Sequence, residues 1–381
     1  MKRLSIITAY APPHRGAIVT RIVSLQNHME ANGWQVDIWA DKRFCIGYEH
    51  VPENVRYFSG WWSLLKGLLT RMPSVVMVTS PPGDVAYCGT ILGRLLFRPV
   101  VYDVRDPWTL AQAALGNISI ASKQYHRRIR MERWSLFLAT KCTVVTSFLR
   151  DMMCKYFQIK PEKFLLAPNG VMVADFHKDE IAGKEVRNDL GISFEAFVIA
   201  YEGIVGGKEL DKFLLHCGKM IAKAGGHILF MVIEDKWSQD IVNNLKAIVS
   251  DLGITENFHL VNNVDYSNMY RYLSAADIGL NPLSSGLDYC LPIKTFEYMA
   301  CELPVISKAA AIGALSSFHK VNHIGPFASD WDQFNHNLLD VMHGKVPLKE
   351  IGIRNRILCK KHFDRRIANQ VFLHEFEKLI G

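Results

Sequence analysis

Lys294 and Glu297 stand three residues apart in the run Asp288-Tyr-Cys-Leu-Pro292-Ile293-Lys294-Thr-Phe-Glu297-Tyr-Met-Ala300. On a helix that spacing puts both side chains on one face. An ammonium there suits a phosphate, and a carboxylate accepts hydrogen bonds from hydroxyls such as those of a ribose. Pro292 suits the first helical position. The backbone N–H groups of a first helical turn lack intrahelical partners and point toward any anion set before them. A surface ion pair would use the same spacing, but this run lies between two strand patterns, at the end of a sheet where ligands gather.

Three other clusters have comparable chemistry. Asp103-Val-Arg105-Asp106-Pro-Trp108 sets two carboxylates around a guanidinium just after an apolar strand. Carboxylates accept from sugar hydroxyls and an indole packs on a sugar face, although the same residues could close a loop with an ion pair. Tyr201-Glu-Gly203-Ile-Val-Gly206-Gly-Lys208 combines glycines that free the backbone for close approach with a lysine suited to a diphosphate. Tyr10-Ala-Pro-Pro-His14-Arg-Gly16-Ala17 leads from a strand into a helix, a junction at which phosphates bind. It is not G-x-G-x-x-G, so a classical dinucleotide site is poorly supported. Asp330-Trp-Asp332 has the spacing of a metal-binding pair but precedes a C-terminal helix, remote from these clusters, and no metal is expected there.

The elements that must position these residues alternate. Arg3–Thr8, Gln35–Ala40, Val75–Thr79, Val100–Asp103 and Lys141–Thr146 read as strands, with helical segments between them. Ile18, Ile22, Leu25 and Met29 mark the first helix, and Asn32-Gly33 ends it. The pattern restarts with strands at Phe197–Glu202, His227–Ile233, Phe258–Val261, Ile278–Asn281 and Pro304–Ser307. Helices are expected at Glu209–Ala224, Trp237–Leu252, Tyr266–Ala275, Pro292–Ala300 and from Arg354 onward. Such alternation predicts two doubly wound α/β domains joined within about 168–195, with ligands at the carboxyl ends of the strands where the domains face each other.

Composition narrows the class. The chain has 381 residues, 49% hydrophobic and 21% charged, which suits two globular domains and excludes a disordered chain. No apolar run approaches the roughly 20 residues that span a bilayer, and Pro12, Pro13 and His14 interrupt the N-terminus too early for a signal segment. Eight scattered cysteines without C-x-x-C read as reduced thiols in a cytoplasmic protein. Residues 1–165 hold 22 Lys and Arg against 11 Asp and Glu, net +11; the rest hold 22 against 26, net −4, giving the overall +7. The basic half faces an anionic partner: nucleic acid, a membrane surface or a phosphorylated substrate. No aromatic-interleaved basic sheet or recognition-helix pattern appears, which disfavours nucleic acid.

Taken together, these motifs resemble the family 4 retaining glycosyltransferases of GT-B fold, most closely the bacterial enzymes of O-antigen, capsule, exopolysaccharide and lipopolysaccharide assembly. The resemblance covers nearly the whole chain. It rests on the Gly16 loop with Arg21, Thr79-Ser80-Pro-Pro82, Val101-Tyr-Asp-Val-Arg-Asp-Pro-Trp108, Pro168-Asn-Gly-Val171, Tyr201–Gly206 and Leu291–Ala300 with Pro304-Val-Ile306. It implies two Rossmann-like domains, 1–168 on the acceptor side and 169–362 on the donor side, with a tail from about 363 packing back on the first.

The activity implied is transfer of a sugar from a nucleoside-diphosphate sugar to a saccharide acceptor, with retention and without a metal or other cofactor. Asp103, Arg105, Asp106 and Lys294 then form the catalytic set. Lys208 and Lys294 hold the diphosphate and Glu297 the ribose. Gly16, Arg21, Gly203, Gly206, Val264 and Ile293 complete the donor side, and His14, Ser80 and Trp108 the acceptor side. The sequence departs from the pattern at Tyr289, where many members carry a glutamate, and lacks an arginine often found before the position of Lys208. A GT-B epimerase acting on a nucleotide sugar would use the same phosphate cradle.

A membrane partner is also expected. As a helix, Trp61–Thr70 would put Ser63, Lys66, Gly67 and Thr70 on one side and two tryptophans and four leucines on the other. Lys123, Arg127, Arg128, Arg130 and Arg133 add cations. An apolar helix face with clustered cations binds an anionic membrane peripherally, and would suit an acceptor carried on a polyprenyl diphosphate. A core-packed helix over 61–70 is the alternative.

Overall fold

The structure, a computed structural model, describes residues 2–12, 14, 16–45, 53–204, 209–233 and 239–381. The chain divides into two units: Met1–Asn169 with Arg365–Gly381, and Gly170–Asp364.

In the first unit the order is β1 (Arg3–Thr8), α1 (Ala17–Ala31), β2 (Gln35–Asp41), β3 (Val55–Phe58), α2 (Gly60–Arg71), β4 (Val75–Ser80) and α3 (Gly83–Leu95). Then come β5 (Val100–Val104), α4 (Trp108–Ala114), α5 (Lys123–Leu138), β6 (Lys141–Val144), α6 (Ser147–Phe157) and β7 (Phe164–Leu166). The strands form one parallel sheet in the order β3-β2-β1-β4-β5-β6-β7. Every residue of β4 and β5 is buried, as expected of central parallel strands covered on both faces. The order reverses direction between β1 and β4, the switch point at which strand ends of such sheets gather ligands.

In the second unit the order is α7 (Glu180–Asp189), β8 (Val198–Ile204), α8 (Glu209–Phe213), α9 (Lys219–Lys223), β9 (His227–Ile233), α10 (Gln239–Leu252), β10 (Phe258–Asn262) and α11 (Met269–Ser274). It continues with β11 (Ile278–Pro282), α12 (Ile293–Ala300), β12 (Val305–Lys308), α13 (Ala314–Asn322), β13 (Phe327–Ala328), α14 (Trp331–Met342) and α15 (Leu348–Leu358). Its sheet, also parallel, runs β10-β9-β8-β11-β12-β13 and switches direction between β8 and β11. The core around β8 and β9 is built from Ile199, Phe213, Phe230, Leu280 and Phe334.

The chain ends in α16 (Arg365–Ile380), which belongs to the first unit. It packs on α1, where the Asn369 side-chain amide donates to the Ser24 carbonyl at 3.1 Å and to the Ser24 hydroxyl at 2.9 Å. Phe372, Leu373 and Phe376 complete the core formed by Ile22, Leu25, Met29 and Trp34.

The structure revises several sequence readings. The helix expected over Glu209–Ala224 holds a π turn, Leu214–Gly218, between α8 and α9. The expected start of the next helix at Trp237 lies outside the described residues. The tail is not one helix: Asp364 takes extended backbone between the π turn Cys359–Phe363 and α16. Pro292 sits at the N-cap of α12 rather than at its first helical position. Gly67 faces inward, because a Cβ there would come within 2.3 Å of the Trp39 ring; with Leu64 and Leu68 it makes the core face of α2. Trp62 is 77% exposed, and Trp61 and Leu69 are exposed too, so α2 both packs on the core and shows apolar surface. Among the described residues no helix is long and apolar enough to cross a membrane.

Candidate functional site

The residues at the carboxyl ends of β8 and β11 converge on the start of α12. Asn281, at the end of β11, donates to the Thr295 hydroxyl at 2.8 Å. The Tyr298 hydroxyl donates to the Leu280 carbonyl at 3.2 Å and accepts from the Glu202 N–H at 3.1 Å. These bonds pin the first turns of α12 to both strands. No side chain caps the helix, which leaves its leading N–H groups, Ile293 and Lys294 among them, for a ligand.

Lys294 projects from that turn onto β8. Its Nζ lies 3.7 Å from the centre of the Tyr201 ring. Gly203, with φ +122°, makes room for it: a Cβ at that position would stand 3.0 Å from Nζ, on a backbone that favours glycine. Held by an aromatic face, the ammonium keeps its donors for an anion. One turn along, Glu297 is buried and accepts from the Tyr266 hydroxyl at 2.6 Å. Its carboxyl also neighbours that of Glu202. Burial pushes the Glu202 carboxyl well above the usual carboxylate range; Glu297 adds to the shift and Lys294 opposes it. An uncapped helix start, a cation and a hydroxyl-accepting carboxylate within one turn have the chemistry to hold a phosphate joined to a diol.

Sequence reasoning missed Tyr266 and the role of Glu202. Tyr266 follows β10, and its place after a strand was the available signal. Val264 is half-buried in that same loop. Gly206 and Lys208 lie outside the described residues.

In the first unit, Asp103 lies near the end of β5, and Arg105 and Asp106 follow the strand directly. Asp103 and Arg21 are both buried and occupy each other: Arg21 Nε and Nη2 each donate to an Asp103 oxygen at 3.0 Å. The Thr143 hydroxyl adds a third bond to Asp103 at 2.6 Å, and Arg21 spends its other donors on the Ala167 and Pro168 carbonyls at 3.0 and 3.2 Å. This corrects the expectation for both residues. With their polar atoms engaged inside the unit, Asp103 is no sugar-facing carboxylate and Arg21 no donor ligand; they brace β5, α1 and the end of β7.

Arg105 is different. It is 8% exposed, and among the described residues its Nε and Nη1 have no hydrogen-bond partner. Burial lowers its pKa, while Asp106 and Asp103 oppose that. Burial raises the Asp106 carboxyl, and Arg105 opposes it. Arg105 is thus a buried cation with unspent hydrogen-bonding capacity, next in sequence to the Asp106 carboxyl. Trp108 begins α4 and is half-buried beside them in sequence. His14 stacks on Tyr10 at 4.7 Å, and Gly16 forms the N-cap of α1 without a side-chain cap. Ser80 is buried at the end of β4, and among the described residues its hydroxyl has no hydrogen-bond partner. Asp330 is the N-cap of α14, accepting from the Gln333 N–H at 2.8 Å.

Comparison with known proteins adds the family. Residues 18–175 match the model described as Glycosyltransferase Family 4, and residues 201–342 the model described as Glycosyl transferases group 1. The chain is similar to sucrose-phosphate synthase from Thermosynechococcus elongatus, at 15% identity and a TM-score of 0.78, over 100% of this chain and 99% of that one. Anabaena HepE in complex with UDP gives 15% identity and 0.74, over 99% and 100%. WaaG, a glycosyltransferase involved in lipopolysaccharide biosynthesis, gives 14% and 0.73, over 97% and 99%. These structures share the GT-B fold with this chain. No curated protein matches it by sequence.

Proposed function

We propose that this glycosyltransferase of GT-B fold, with a family 4 domain followed by a group 1 domain, moves a hexose or related sugar from a nucleoside-diphosphate sugar to a saccharide acceptor with retention of configuration. The second unit binds the donor. The observation that carries this reading is Lys294: an ammonium seated on Tyr201 and Gly203, at the uncapped start of α12, one turn before a hydroxyl-accepting glutamate. The diphosphate lies on Lys294 and the α12 N–H groups, and the ribose on Glu297. As the sugar–phosphate bond breaks, charge grows on the diphosphate, and these fixed donors stabilise it without reorganising. In the first unit, Arg105 and Asp106 offer a cation and a carboxyl of the kind that binds saccharide hydroxyls. No resident metal is required, because protein cations and helix N–H groups meet the phosphate charge.

The acceptor proposed is a saccharide on a polyprenyl diphosphate at the cytoplasmic face of a membrane, in surface polysaccharide assembly. Support comes from the outer surface of the first unit. Helix α3 packs against both α2 and α5. Trp62, Leu69, Leu95, Phe97, Trp134 and Phe137 are exposed on these helices and the turn after α3, Phe97 at 94%. Lys66, Lys123, Arg127, Arg130 and Arg133 are exposed among them. Aromatic and aliphatic side chains with interspersed cations suit an anionic lipid surface.

Thermal stabilisation by a panel of nucleotide sugars tests the donor, with UDP-sugars first because the similar HepE structure holds UDP. Release of free nucleoside diphosphate only when a lipid-linked saccharide is added then tests transfer. Interconversion of the nucleotide sugar without an acceptor would favour the epimerase instead.

A further inference from the structure

Glu202 is the one residue of the α12 cluster that no phosphate or ribose contact explains. It ends the buried part of β8, is 4% exposed, and its Oε1 has no partner among the described residues. Its backbone is fixed by the Tyr298 hydroxyl at 3.1 Å. Among the described residues, the charged and titratable groups around it are Tyr201 on its own strand and Lys294, Glu297, Tyr298 and Cys301 from α12 and its C-cap. Its carboxyl neighbours that of Glu297. Two bare carboxylates repel; a hydrogen bond between carboxyl groups needs a proton on one of them. Glu297 is already an acceptor, from the Tyr266 hydroxyl at 2.6 Å. The proton therefore belongs on Glu202, the more enclosed of the pair by its unsatisfied oxygen.

We propose that Glu202 is a positioning residue for the donor: as a neutral carboxylic acid it donates to Glu297 and, together with Tyr266, holds that carboxylate in the orientation that accepts a ribose diol. This rests on the donor-site reading above and deepens it. A glutamate side chain has three rotatable bonds, and a carboxylate facing a ligand with nothing behind it samples several rotamers. Two donors from different elements, β8 and the loop after β10, select one. The ligand class selected is a ribonucleotide, since a deoxyribose presents one hydroxyl fewer.

The test compares wild type, Glu202→Gln and Glu202→Leu by titration calorimetry with UDP, GDP and ADP. The diphosphate that binds most tightly is then set against its 2′-deoxy counterpart. Wild type should prefer the ribonucleotide by about 10–100-fold, the worth of a hydrogen bond to a charged group. Glu202→Gln keeps an N–H donor in nearly the same shape and should retain that preference. Glu202→Leu should bring the ratio down to about 1–3, with donor KM raised far more than kcat is lowered, because the diol contact changes little during reaction. A general loss of structure would weaken both nucleotides alike and leave the ratio unchanged. A wild-type ratio in Glu202→Leu overturns the inference, and so does a collapsed ratio in a folded Glu202→Gln. If wild type binds none of the three diphosphates, the donor-site reading itself fails, and the role of Glu202 falls with it.

Discussion

Arg21 clasps Asp103 through two hydrogen bonds of 3.0 Å, although the residues are 82 positions apart in the chain. Both side chains are almost wholly removed from solvent, so each is the other's condition for burial. Asp103→Asn keeps the shape but leaves a buried guanidinium without its counter-charge. Breaking a buried pair in this way costs about 3–5 kcal/mol. Urea melts should show that loss, and the fraction that remains folded should bind donor normally. A change below about 1 kcal/mol would contradict the bracing role.

Lys294→Ala should lower kcat/KM by about 10²–10³, with much of the loss in kcat, comparable to removing one oxyanion donor. The substitution should not unfold the protein, since Lys294 is only half-buried and its ammonium rests on the Tyr201 ring. Steady-state kinetics with saturating acceptor would show it. The wild-type rate should also survive EDTA; a rate abolished by chelation and restored by Mg²⁺ would mean that the phosphate charge is met by a metal.

Glu297→Gln and Tyr266→Phe should act on the same quantity. The first weakens the ribose contact, and the second removes one of the donors that orient Glu297. Both should raise donor KM with little effect on kcat. The double variant should be less than additive, because the two residues are in direct contact.

Glu132 makes stability fall with pH. It is buried on α5, and burial raises its pKa from 4.5 to about 7, with a hydrogen bond from Thr109 opposing the shift. The folded chain holds this proton more tightly than the unfolded one, so stability is full below about pH 4.5 and is lost as pH rises to about 7. The difference amounts to about 3 kcal/mol by pH 8. Glu132→Gln should therefore melt at a higher temperature than wild type at pH 8, and at nearly the same temperature at pH 4.5. Melting curves at the two pH values decide it.

The proposed membrane face is tested by flotation with vesicles of phosphatidylcholine alone and with anionic phosphatidylglycerol added. Binding should need the anionic lipid and weaken with salt. Arg127→Glu with Arg130→Glu reverses two exposed charges on α5 and should weaken binding by about tenfold or more, at roughly 1 kcal/mol per cation. Trp134→Ala should weaken it without altering the salt dependence.

What the sequence made legible follows the length and burial of each element. His227–Ile233 carries a continuous apolar run after its histidine, and β1 a shorter one broken by Ser5; the bounds of both could be read directly. β3, Val55-Arg-Tyr-Phe, is only four residues with a charge inside it, and β7 is three. Neither offers a period to detect. The break at Asp364 was hidden because the residues on both sides are good helix formers; it is extended backbone, paired to Val171, that interrupts them. Within the site, Lys294 and Glu297 share a helix turn, so local spacing could pair them. Tyr266 and Glu202 join them only because separate strands of one sheet end side by side, and nothing local encodes that neighbourhood. Arg21 and Asp103 were misjudged for the same reason. A strand-end carboxylate looks available until the fold brings an arginine from another element onto it.

The placement of α16 governs how this protein comes into being on the ribosome. The first unit has its whole sheet once residue 169 has been made, yet the patch formed by Ile22, Leu25, Met29 and Trp34 waits for Phe372, Leu373 and Phe376. Translation of Gly170–Asp364 comes in between and takes on the order of 10–40 s. Throughout that time the nascent first unit carries an uncovered apolar groove, a natural binding place for a chaperone and a hazard if synthesis stalls. A chain cut at Asp364 would keep every strand of both sheets and would still be an unfinished protein.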